Sequence, residues 1–132
     1  MEFAISWGGD PEDVTVTTSG DASVEDLDAM TQAIITDERY REGLAILIDH
    51  SETRWSRLTG DDARRRIQLI ERQAEQIGRQ RVAFVVSAPA DFGVGRMMSL
   101  LLEGRAPFEH QIFYSADDAR SWLREPYGSE TL

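Results

Sequence analysis

Two apolar runs, LAILID at residues 44–49 and RVAFVVS at residues 81–87, dictate most of what this chain can fold into. Each is apolar at successive positions rather than alternate ones, so neither face of the strand it forms can be left to water. Between them Ala63, Ile67, Ile70, Ala74 and Ile77 recur at helical spacing, and Gly78 is placed to end the helix. Strand, amphipathic helix and strand in this order predict a right-handed parallel crossover inside a covered sheet.

The flanking segments extend this unit. Phe3, Ile5 and Trp7 alternate with polar or small residues, as do Val14 and Val16, and GGDP at 8–11 lies between them, which predicts a hairpin. Ser23 as N-cap, Glu25 and Asp26 in the first turn, and Val24, Leu27, Met30 and Ile34 at helical spacing predict an amphipathic helix. Residues 37–42, DERYRE, are too charged for a core and read as a surface connection. After the second run, APAD at 88–91 breaks the strand, and Phe92, Val94, Met97, Met98, Leu101 and Leu102 suggest a helix ending near Gly104. A short strand at 111–114 and a serine-capped helix carrying Ala119, Trp122 and Leu123 inward complete the order β-β-α-β-α-β-α-β-α. The expectation is a single α/β domain over 1–126, with a mixed, mostly parallel sheet of about five strands and four helices, and a polar tail at 127–132.

At 132 residues the chain is long enough to bury a core without a disulfide or metal staple. Cysteine is absent, which excludes disulfides, thiolate nucleophiles and thiolate metal sites, and lysine is absent too, which excludes Schiff-base chemistry. The formal charge of −10 repels nucleic acid and anionic membrane surfaces. No apolar run nears the roughly 18 residues of a membrane span, so a cytoplasmic protein with no membrane insertion is expected. The charge is uneven. Residues 52–81 hold eight arginines and five acids, a local +3 that leaves −13 elsewhere. That segment reads either as a partner face or as an ordinary solvated helix flank.

The segments GLAILIDHS (43–51), LTGDDAR (58–64), RVAFVVS (81–87), FGVGRMM (92–98) and FYSADDARSWL (113–123), in this order, resemble the SpoIIAA-like branch of the STAS superfamily. The resemblance covers nearly the whole chain and implies a small, non-enzymatic protein-interaction domain, within a superfamily that also has an architectural likeness to lipid-carrying domains. In its anti-sigma-factor antagonists, a strand ending in aspartate leads through a loop to an Asp-Ser-Ser-Gly turn whose serine is phosphorylated. Counted from Asp49, that turn falls on Arg57, Leu58, Thr59 and Gly60, so the resemblance makes Thr59 the phospho-acceptor candidate. Arginine and leucine stand where the family has aspartate and serine. Thr59 is equally readable as a helix N-cap.

Other chemistries find little support. His50 and Ser51 are adjacent on an extended chain and point to opposite sides, which does not make a nucleophile and its base. Two histidines without ligand spacing do not make a metal site. Asp61 and Asp62 read as dipole-complementing acids, and FGVG at 92–95 lacks the third glycine of a dinucleotide loop. No catalytic residue, cofactor or metal is expected. Trp55 sits among polar residues in the loop after the first run, where a large ring needs cover. The leading expectation is therefore a protein partner, including self-association as a homodimer, met through Trp55, Arg57, Arg64, Arg65 and Arg66. The alternative is a carrier holding a lipophilic small molecule near Trp55, Phe92, Met97, Met98 and Phe108.

Overall fold

The structure, a computed structural model, describes residues 1–87, 96, 97, 100 and 102–125. Strands β1 (Glu2–Trp7) and β2 (Val14–Asp21) form the expected antiparallel hairpin, and β3 (Ala45–Arg54), β4 (Arg81–Val85) and β5 (Glu109–Phe113) follow in parallel. The sheet order is β1-β2-β3-β4-β5. Helices α1 (Val24–Ile35), α2 (Gly60–Arg72), α3 (Ala74–Ile77) and α4 (Ala116–Leu123) pack on it. Among the described residues, no helix is long and apolar enough to cross a membrane.

Local chemistry explains the helix starts. Ser23 Oγ accepts from Asp26 N, Ser115 Oγ accepts from Asp117 N and Asp118 N, and each helix carries acids in its first turn. Three expectations are corrected. First, β3 runs to Arg54 instead of ending at Asp49, because its pairing with β2 resumes beyond a register shift at Thr17/Ser19 and continues to Asp21 opposite Arg54. Second, the helix over 63–77 breaks at Gln73, where ψ of 6° interrupts the spiral and the side-chain amide reaches Asp28 of α1 at 2.9 Å. Third, the last strand begins at Glu109, opposite Arg81. Of the helix expected over 92–102, Arg96, Met97, Leu100 and Leu102 are helical, while Phe92, Val94, Met98 and Leu101 lie outside the described residues, as does the tail.

Both faces of the central strands are covered. On one, Leu27, Met30 and Ile34 of α1 meet Val14, Val16, Ile46, Ile48 and Val82, and this core continues into Ile35, Ile67, Ile70, Ile77 and Leu102. On the other, Leu47, Ala83 and Val85 meet Ala119, Trp122 and Leu123. Each large aliphatic side chain so buried contributes about 1.5–3 kcal/mol. The second face is pinned by Arg81, whose guanidinium lies 3.9 Å over the Trp122 ring, donates from Nε and Nη2 to the Trp122 carbonyl, and pairs with Glu109 and Glu125.

Because β2 to β5 are laid down in chain order, right-handed crossovers put α1 and α2 on the same face. Strand order never reverses, so the crevice that such a reversal opens at strand ends is missing.

Candidate functional site

The chain after β3 is short. Trp55 to Thr59 connect it to α2, and Leu58 N donates to the Trp55 carbonyl to close the turn. Thr59 Oγ1 accepts from Asp62 N at 3.1 Å, while Asp62 Oδ2 accepts from Thr59 N at 3.0 Å, a reciprocal capping box. The Thr59 backbone N–H holds the Asp62 carboxyl below its usual range. Thr59→Ala is expected to cost about 1 kcal/mol in urea denaturation. An unchanged midpoint would remove its capping role.

Around this cap lies an exposed, mixed-charge surface. Arg54 and Arg57 face Asp21, at 2.9 and 3.7 Å, Arg64 pairs with Asp61 at 2.6 Å, and Arg65 crosses to Glu25 of α1. The hydrogen bond from Arg54 lowers the Asp21 carboxyl. Asp21, Glu25, Arg57, Leu58 and Asp62 border a polar groove of about 430 Å³.

Beneath this surface the chemistry changes. His50 on β3 is 3 % exposed, its Nδ1 2.6 Å from Thr18 Oγ1, which in turn meets Thr53 Oγ1 at 2.5 Å. Trp55 stands edge-on to the His50 ring at 4.8 Å, and the Phe84 ring lies nearly parallel to it at 6.2 Å. Burial, reinforced by the charge on Arg66, pushes the His50 imidazole down to about 3, so it is neutral at physiological pH. Arg66 is 7 % exposed. Its Nη2 donates to Thr31 Oγ1 at 2.7 Å, and its Nη1 is buried with no hydrogen-bond partner among the described residues. Burial lowers even this guanidinium, to about 10. Arg66 opens on an apolar cavity of about 70 Å³ between α1, α2 and the sheet, lined in part by Ile34, Ile46, Ile70, Val82 and Phe108. Among the described residues no group of three or more His, Asp or Glu is placed to hold a metal ion.

No protein-family model matches the chain, and no curated protein matches it. Among solved structures it is similar to the crystal structure of an uncharacterised DUF3478-family protein with a SpoIIAA-like fold from Shewanella loihica PV-4, with a TM-score of 0.59 and 18 % identity over 92 % of this chain and 93 % of that one. The fold is SpoIIAA-like. At this identity the likeness carries the architecture and assigns no residue a role.

Within the SpoIIAA-like frame the expected site residues separate into two groups. Arg57, Arg64 and Arg65 are exposed on one face with Thr59. Trp55 and Arg66 are not part of that face. Trp55 is 8 % exposed and packs into the core beside His50, because β3 extends far enough for the sheet to cover the ring. Arg66 falls on the inward stripe of α2 with Ala63, Ile67 and Ile70. Of the expected pocket residues, Phe108 lines the cavity, Met97 is 41 % exposed, and Phe92 and Met98 lie outside the described residues. Reading the sequence missed Thr31, Thr18 and Thr53, whose roles arise only from contacts across elements.

Proposed function

We propose that this SpoIIAA-like domain is non-catalytic, resides in the cytoplasm, and acts by protein contact through the face that joins the β3–α2 connection to the first turns of α1 and α2. The observation that carries this reading is the concentration of exposed charge of both signs there, Arg57, Arg64 and Arg65 beside Asp21, Glu25 and Asp61, around an exposed Thr59. Arginines and acids alternate over this face, so a second copy can meet each charge with one of the opposite sign. Thr59 is the residue of this face that a kinase would modify. A phosphate there would displace Asp62 from the cap and repel its carboxylate, which makes the turn a switch.

Sedimentation of the wild type and of Arg64→Glu/Arg65→Glu tests the reading. The wild type is expected to associate at low salt and to dissociate as salt screens the contact, while the double variant stays monomeric. Identical masses for both proteins at every salt concentration would remove self-association through this face.

A second reading, a carrier for a lipophilic small molecule, is favoured by one observation: the cavity beside Arg66 is walled by aliphatic and aromatic side chains. Native mass spectrometry of gently purified protein distinguishes the two, since a persistent added mass supports the carrier.

A further inference from the structure

We infer that the cavity between α1, α2 and the sheet is a binding site for a small aliphatic monocarboxylate, its carboxylate gripped by Arg66 and its chain lying among Ile34, Ile46, Ile70, Val82 and Phe108. This deepens the carrier reading and rests on it.

The inference begins from unmet bonding capacity. A cation taken out of water needs a counter-charge or a full set of acceptors, and among the described residues Arg66 has one acceptor, Thr31, with Nη1 left over. No described carboxylate is in ion-pair contact with it. Asp28 acts on it through space while accepting from Gln73 Nε2 at 2.9 Å. The other polar groups lining the cavity are occupied. Tyr40 donates to the Ile77 carbonyl, Thr31 donates to the Leu27 carbonyl, and the Gln80 amide serves Leu44 N and the carbonyls of Arg41 and Ile77. The free donor is therefore a guanidinium nitrogen in an otherwise satisfied, apolar wall.

That donor selects the ligand class. A guanidinium matches a carboxylate in both plane and charge. Arg66 is the single cation among the described lining residues, so a dianion would carry a second charge that no described lining residue meets. The rest of the wall rewards an aliphatic chain. At about 70 Å³ the cavity is about half the roughly 150 Å³ that encloses the six carbons of benzene, which points to an acid of roughly three carbons.

Propionate and its uncharged amide, propionamide, are the probes. Each is titrated into the full chain at constant ionic strength while the methyl NMR signals of Ile34, Ile70 and Val82 are followed. Propionate is expected to shift these methyls and to bind at least tenfold more tightly than propionamide. Arg66→Met, which replaces the buried cation with an apolar side chain of similar length, should erase that preference. The comparison of acid and amide on the wild type stands even if the variant fails to fold. Equal affinities with the same methyl shifts would overturn the carboxylate and leave the carrier reading intact. No shift of these methyls by either compound would overturn both.

Discussion

Replacing Arg81 with methionine is expected to lower the unfolding free energy by about 3–5 kcal/mol, among the largest effects a single substitution can have in this chain. Arg81 is 4 % exposed and connects three elements: its own strand β4, Glu109 on β5, and the C-terminal turn of α4 through the Trp122 carbonyl and ring. Methionine fills much of the volume but leaves Glu109, 18 % exposed in its side chain, as an uncompensated charge at the start of β5. It also removes donors from the Trp122 carbonyl and the cation from the indole face, an interaction worth about 2 kcal/mol when desolvated. In urea the midpoint should fall by roughly 2 M with the slope unchanged. Adding Glu109→Leu should recover most of the loss, because a buried pair replaced on both sides by apolar groups is close to neutral. A single-variant loss below about 1 kcal/mol would mean that α4 is held by Trp122 and Leu123 packing alone.

The second large effect is acid lability set by His50. Its folded pKa lies near 3, depressed from 6.5 by burial and by Arg66, so the unfolded chain binds this proton more readily than the folded one. A depressed histidine contributes stability that is fully present above the unfolded pKa and is lost as pH falls from about 6.5 toward 3. Between pH 7 and pH 5 the loss should be about 2 kcal/mol. This window lies above the range in which Asp37, held near 2 by Arg39, and the lowered carboxyls of Asp26 and Asp62 begin to protonate. Denaturation curves of the wild type and His50→Gln across pH 5–7 isolate the term, since His110 is common to both. The variant should lose the slope whatever its absolute stability. Equal slopes would show that His50 is accessible to water and charges freely.

The sequence exposed what is local and hid what is paired across the fold. Serines 23 and 115 and Thr59 declared themselves as caps, because the groups they satisfy lie two or three residues away. The hairpin and the buried runs were legible from their periodicity. The far half of β3 was not. His50 and Thr53 look like loop residues until Thr18, 32 and 35 residues away, satisfies both and lets a strand carry them inward. Trp55 misled for the same reason, its sequence neighbours being polar while its cover comes from the sheet. Arg66 was half legible. It shares the helical stripe of Ala63, Ile67 and Ile70, yet it sits in a run of three arginines, and only Arg64 and Arg65 point outward.

The strand order has a consequence for how the molecule is made. With β1 to β5 side by side in chain order, no strand has to be inserted between two already in place. During synthesis the sheet can grow at one edge, each emerging β-α unit docking on the strand before it. The edge left open at each step is the one the next segment covers, which limits the time that a bare strand is available to another nascent chain.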